Sequence, residues 1–271
     1  MSTARQERYE IKHYPCFTYS SNFSIDTYKM TYIQHTRKSL PKMKLAALFS
    51  GGKDSTYSIY SARQSGHDVV CLITMKPKSD ESMLFHYPDI WLVSYLAEAM
   101  KIPLLMKDTV SISLRDEFAE LGQSIKEAVQ IYKVEGIVHG GISSVFQKQA
   151  FENLCRSNGI VALTPLWNRE PIEYMYELIR NQFEFIITRV SAMGLDLQWL
   201  GKLVDIKSLE ELLSLSKKNG FHISFEGGEA ETLVVSCPLY HSKRLEITKW
   251  SVTWDHMSGI LEISEAALVH V

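Results

Sequence analysis

An apolar run, Leu45-Ala46-Ala47-Leu48-Phe49, stops at Ser50-Gly51-Gly52-Lys53-Asp54-Ser55, and this junction constrains the fold more than any other part of the chain. The run reads as a buried strand and the paired glycines permit a sharp turn. Ser55-Thr56-Tyr57-Ser58-Ile59-Tyr60-Ser61-Ala62 then opens a helical stretch. Such a turn points unpaired first-turn amides at one spot, at the positive end of the helix dipole. The hydroxyls of Ser50 and Ser55 and the charge of Lys53 sharpen that spot into an anion site suited to a pyrophosphate group. It is not the phosphate loop built as Gly, four residues, then Gly-Lys-Ser/Thr, because Ala47 stands where the first Gly is required and Asp54 follows Lys53.

From Met43 onward strand-like and helix-like segments alternate, which predicts an α/β fold with a parallel sheet. Residues 68–75 read as a second buried strand, 89–100 as a helix and 104–106 as a strand. Leu114, Phe118, Leu121, Ile125, Ala128 and Tyr132, spaced by three and four, mark the core-facing stripe of a long helix. Strands at 136–139 and 159–162 flank a helix at 145–157. Sheets of this kind bind ligands beyond the carboxyl ends of their strands, where the loop at Ser50 falls. Past Trp167 the style changes. A helix at 171–181, strands at 184–188 and 244–250 and a helix at 208–218 predict a smaller α+β domain. The expected division is a poorly ordered extension over 1–42, a loop-bearing domain over 43–166 and a C-terminal domain over 167–271.

With 271 residues and 45% hydrophobic content the chain can bury one sizeable core or two modest ones. A formal charge of −2 gives no global attraction to nucleic acid, so no direct nucleic-acid binding is expected. Cys16, Cys71, Cys155 and Cys237 lie far apart with no CxxC pair, which argues against a zinc knuckle or a disulfide framework and fits a cytoplasmic protein. No apolar run approaches the ~18 to 20 residues of a membrane span.

A second unusual string, Glu226-Gly227-Gly228-Glu229-Ala230-Glu231-Thr232, precedes Leu233-Val234-Val235-Ser236-Cys237-Pro238. By composition alone it is either a solvated acidic turn before a strand or a turn that holds a cation. Together the two strings resemble those of the diphthine–ammonia ligase (diphthamide synthetase) family of PP-loop ATP pyrophosphatases. The likeness extends from about Met43 to about Glu262. It includes Phe85-His86, Gly141-Ile142-Ser143-Ser144 with Gln147, Pro165-Leu166-Trp167, and Gly194-Leu195-Asp196 with Trp199-Leu200-Gly201. The family usually has an aromatic residue where Ala230 stands.

The resemblance implies a PP-loop domain and ATP-dependent amidation of diphthine, a modified histidine on elongation factor 2, with ammonium as nitrogen source and AMP and pyrophosphate as products. Attack of the carboxylate on the α-phosphate replaces an oxide leaving group by AMP, which ammonia then displaces. Ser50, Gly51, Gly52 and Ser55 would cradle the pyrophosphate, Lys53 would offset its charge, and Asp54 would hold Mg²⁺ or cap the helix. Leu72, Ile73 and Thr74 would lie against adenine. His86, Glu226, Gly227, Gly228, Glu229, Glu231 and Thr232 would form the acceptor site, since the quaternary ammonium of diphthine suits carboxylates and aromatic faces. Lys53, Asp54, Glu229 and Glu231 are the expected catalytic residues, and a carboxylate or His86 could deprotonate ammonium. Other readings are a PP-loop enzyme that adenylates a small carboxylic acid or a tRNA base, and an adenine-nucleotide sensor with no turnover. Thiolating enzymes commonly need a cysteine pair, and glutamine-dependent amidotransferases need a further domain; neither is evident.

Overall fold

The computed structural model describes residues 41–77, 89–109, 113–141, 145–255 and 257–271, and the side chains at 114 and 145–147 are not described. The expected extension, apart from residues 41 and 42, lies outside these residues, as do His86 and Ile142 to Ser144. Five parallel strands, β1 (Lys44–Leu48), β2 (Asp68–Lys76), β3 (Leu104–Asp108), β4 (Gly136–Val138) and β5 (Val161–Leu163), form a sheet in the order β3-β2-β1-β4-β5. The connecting helices are α1 (Lys53–Gln64), α2 (Val93–Met100), α3 (Leu114–Tyr132) and α4 (Val145–Ser157). The expected helix at 89–100 starts as one 3₁₀ turn, Ile90–Leu92, before α2.

Beyond Trp167 come α5 (Pro171–Arg180), β6 (Glu184–Val190), α6 (Ile206–Asn219), β7 (Ala230–Ser236), β8 (Lys243–Trp254) and β9 (Gly259–His270). Their strands form an antiparallel sheet in the order β7-β6-β9-β8. The strand expected at 244–250 is the inner part of β8, while its hairpin partner β9 has no counterpart among the expected strands. Local signals set the helix starts: Ser113 accepts from the Asp116 N–H, Glu170 precedes Pro171 and accepts from the Glu173 N–H, and Asp205 with Ser208 closes a capping box.

Because successive side chains of a strand point to opposite faces, β1 divides its residues between two cores. Ala46 joins Cys71, Ile73, Leu121, Ile125, Ala128 and Cys155 under α3 and α4. Leu45, Ala47 and Leu72 join a larger core that runs without a break into the second sheet, through Tyr174, Phe185, Val234 and Leu261. Helix α1 packs on β7, and α2 on β8 and β9. This shared core brings the loop after β1 against the strand that follows the acidic turn. Cys71, Cys155 and Cys237 are all buried, and desolvation pushes each thiol up to about 12, so none is a thiolate nucleophile at neutral pH.

Candidate active site

The loop between β1 and α1 is shaped by Gly51, whose φ of 82° lies in the left-handed region, and by Gly52, the N-cap of α1. Its amides are satisfied by hydroxyls. The Ser50 N–H donates to Ser55 Oγ at 3.3 Å, the Gly52 N–H to Ser50 Oγ at 3.4 Å and the Lys53 N–H to Thr232 Oγ1 at 3.2 Å. The Ser50 and Ser55 hydroxyls are 3.1 Å apart. These N–H···O distances are all at the long end of the range, so the amides are committed only weakly. The far side of the loop is closed by Gly140 after β4, where a β-carbon would lie 2.5 Å from the Asp54 carbonyl carbon. The approach demands glycine.

The two sequence strings meet here. Besides the bond from Lys53 to Thr232, the Val234 N–H donates to the Gly51 carbonyl at 2.9 Å. Lys53, expected to face the anion, is only 2% exposed. Its ammonium donates to the Ser224 carbonyl at 2.7 Å and to Asp54 Oδ2 at 2.9 Å, and lies 5.4 Å from the centre of the Phe225 ring. Asp54 sits in the first turn of α1 without capping it, and its other oxygen, Oδ1, accepts from the Tyr174 hydroxyl at 2.8 Å. Its charge is thus compensated from both sides.

The acidic turn is held from within. Glu229 accepts from the His222 N–H at 2.9 Å through Oε1 and from the Gly227 N–H at 2.7 Å through Oε2, so both its oxygens shape the turn. Ser191 anchors the turn from β6's end, its hydroxyl donating to the Gly228 carbonyl at 2.6 Å. Phe225 and Gly228 both have positive φ, of 63° and 80°. Glu226 is half-buried and its charge is felt at the Tyr174 hydroxyl. Glu231 lies 3.7 Å from the Arg189 guanidinium. Near it, burial pushes the Asp89 carboxyl up to about 6, against the lowering effect of its bond from the Ile263 N–H, with Glu262 and Glu231 adding repulsion.

Of the residues expected against adenine, Leu72 and Ile73 are buried in the two cores, and Thr74 is buried with its hydroxyl donating to the Phe49 carbonyl at 2.7 Å. Sequence reasoning missed Tyr174, Ser224 and His139. The first two carried no signal beyond the apolar pattern of their segments. His139, at the carboxyl end of β4, accepts from the Gly141 N–H at 3.2 Å through Nδ1, which assigns the proton to Nε2. Burial and the charge of Lys148 push this imidazole down to about 4, so it is neutral at physiological pH.

Comparison with known proteins covers both sequence strings. The family model described as the diphthamide synthase N-terminal domain matches residues 43–162, and the one described as the C-terminal domain matches residues 170–269. The first carries the loop and the second the acidic turn. The chain is 36% identical to a diphthine–ammonia ligase of Bos taurus over 219 residues, 74% of this chain and 82% of that protein. The Homo sapiens protein of the same name is 35% identical over the same shares of both chains. That of Schizosaccharomyces pombe is 32% identical over 80% of this chain and 38% of its own, longer one. Identity at this level over most of the chain, with both motifs in hydrogen-bonded contact, makes this chain a member of the diphthamide synthase family.

Proposed function

We propose that the chain is an ATP-dependent ligase that amidates diphthine on elongation factor 2, drawing on ammonium. The observation that supports this reading is the contact between the loop and the strand after the acidic turn, Lys53 N–H to Thr232 Oγ1, which brings together the two strings that this proposal reads as an anion site and a cation site. ATP would supply the adenylyl group that makes the acceptor carboxylate a competent acyl donor. Everything else falls to the chain.

The amides of Ser50, Gly52 and Lys53 hold hydroxyl oxygens at 3.2 to 3.4 Å, and the charged oxygens of a pyrophosphate group would replace them as stronger acceptors. The adenine base is placed in this proposal beyond the carboxyl end of β2; the side chains of Leu72, Ile73 and Thr74, expected against it, are buried within the strand, so the contact would run through backbone. Among the described residues no three carboxylate, imidazole or thiol groups converge as a metal site. Asp54 would be the protein carboxylate beside Mg²⁺ carried by the nucleotide, since a carboxylate with two hydrogen bonds keeps lone pairs to spare. Lys53 offsets charge from behind the loop, through Asp54.

In the proposed acceptor site, Glu226, Glu229 and Glu231 present the carboxylates to the quaternary ammonium, and Glu229 in addition fixes the shape of the turn. His86 belongs to the same proposal but lies outside the described residues. No helix among the described residues is long and apolar enough to cross a membrane, and the proposed place of action is the cytoplasm. The test is incubation of the protein with ATP, Mg²⁺, ammonium and diphthine-bearing elongation factor 2. AMP and pyrophosphate released in step with conversion of the carboxylate to the amide are expected. ADP in place of AMP, or AMP with an unchanged factor, would reject the assignment.

A further inference from the structure

Helices α1 and α5 are joined by a ladder of side-chain hydrogen bonds. Asp54, Tyr57 and Tyr60 on α1 face Tyr174 and Glu177 on α5 and Asn181 just after it. The spacing, three and three on α1 and three and four on α5, puts them on single helix faces. Two rungs serve only to join the helices. The Tyr57 hydroxyl donates to Glu177 Oε1 at 2.7 Å and accepts from Asn181 Nδ2 at 2.9 Å, while the Tyr60 hydroxyl lies 3.4 Å from Asn181 Oδ1. The first rung differs in reaching the string Ser50 to Ser55. There the α5 residue donates, from the Tyr174 hydroxyl to Asp54 Oδ1 at 2.8 Å, and the acceptor is a residue of the loop.

We propose that Tyr174 is a positioning residue for the ATP-splitting half of the reaction: its hydroxyl, opposite the Lys53 ammonium, holds the Asp54 carboxylate in the orientation that would receive the metal carried by the nucleotide's phosphates. A carboxylate beside an anion site repels phosphate unless its charge is compensated and its free lone pairs face a cation. Asp54 meets both conditions only if its rotamer is fixed, and the two donors, one on each oxygen, fix it. Tyr174 suits the task because it never loses its proton in the working range. It is 1% exposed, and burial together with the nearby charge of Asp54 holds its phenol well above the ordinary value. Its ring is locked by an edge contact with Tyr57 at 5.7 Å.

This inference rests on the reading of the loop as an ATP site, and the experiment separates the two. Tyr174→Phe keeps the ring and its packing and removes only the hydroxyl; Tyr57→Phe removes an equally placed hydroxyl that does not touch the loop. For the full chain and each variant, melting temperature, ATP affinity across a Mg²⁺ titration, and AMP release are measured. Both variants are expected to melt slightly below the parent. Tyr174→Phe alone should raise the Mg²⁺ concentration at half-maximal ATP binding by about five- to tenfold and slow AMP release about tenfold. Adding it to Asp54→Asn should shift the Mg²⁺ midpoint no further than Asp54→Asn does alone. A parent that binds no ATP overturns the loop reading and the inference with it. An ATP-binding parent whose Mg²⁺ midpoint is unmoved by Tyr174→Phe, or moved equally by Tyr57→Phe, overturns the inference alone, as do additive midpoints in the double variant.

Discussion

The Lys53 amide and the Thr232 hydroxyl, 179 positions apart in sequence, are hydrogen-bonded at 3.2 Å. One belongs to the turn after β1 and the other to the strand leaving the acidic turn, so each motif completes the other's backbone. If the hydroxyl stands in for a phosphate oxygen, Thr232→Val exposes the substitution. The shape is kept, and the Lys53 N–H loses its acceptor at about 1 to 3 kcal/mol if left unsatisfied. The variant should melt below the parent, and the gap should shrink when a nonhydrolysable ATP analogue saturates both. A gap that stays constant with the analogue would show that the nucleotide does not use this amide.

Lys53→Met should abolish AMP formation and, unlike a change at an exposed loop lysine, should also lower stability. The Ser224 carbonyl would lose a charged donor and Asp54 the cation on Oδ2. Breaking a buried pair costs about 3 to 5 kcal/mol, and because Asp54 is itself partly exposed the expected loss is nearer 2 kcal/mol. Chemical denaturation checks this directly. A variant as stable as the parent would mean the ammonium is solvated in solution.

The acidic turn separates shape from charge. Glu229→Gln keeps one carbonyl acceptor and loses the other, so either His222 or Gly227 gives up its partner. A charge-assisted bond of about 1.5 to 3 kcal/mol translates into acceptor use weakened by one to two orders of magnitude. A lowered melting temperature should accompany it, with ATP affinity kept. Glu231→Gln should weaken acceptor use with little change in melting temperature. Acceptor-dependent AMP release and melting curves on the two variants decide the matter. If Glu229→Gln spares both, the hydrogen bonds of Glu229 do not set the turn.

Much of this was legible in the sequence because it is local. The strand, double glycine and hydroxyls that make the loop are consecutive, and the stripe from Leu121 to Ala128 announces its own buried face. What could not be read are the long-range pairings. Nothing in Ser50 to Ser55 says that Lys53 turns inward, because its burial depends on a carbonyl 171 residues away. Tyr174 looks like any apolar-face residue of an amphipathic helix; only the packing of α5 on α1 gives its hydroxyl a partner. Glu229 illustrates the same limit from the other side. Its charge suggests a ligand for a cation, but nothing in the string announces that both its oxygens also accept from backbone amides and shape the turn.

Among the described residues, buried His139 and half-buried Asp89 pull the acid response of the protein in opposite directions. His139 has an ordinary value of 6.5 and a folded value of about 4. As pH falls below 6.5 the unfolded chain takes up a proton that the folded one refuses, so this group's stabilisation is full above 6.5 and is lost toward 4. The slope is at most ~1.4 kcal/mol per pH unit. Asp89 runs the other way, from an ordinary 3.8 to about 6 when folded. Between those values the folded protein holds a proton that the unfolded chain releases, so this group adds stability as pH falls from 6 toward 4. Over that interval the two slopes oppose each other and largely cancel. Asp89→Asn removes one of them. Urea denaturation at intervals from pH 6.5 to 4.5 should therefore show the variant losing stability relative to the parent as the medium becomes more acidic, by up to ~1.4 kcal/mol per unit below pH 6. The difference between the two proteins cancels the titrating groups that do not interact with Asp89. Parallel curves would mean that Asp89 is ionised in the folded protein throughout the range, and a variant gaining stability toward acid would reverse the assigned sign.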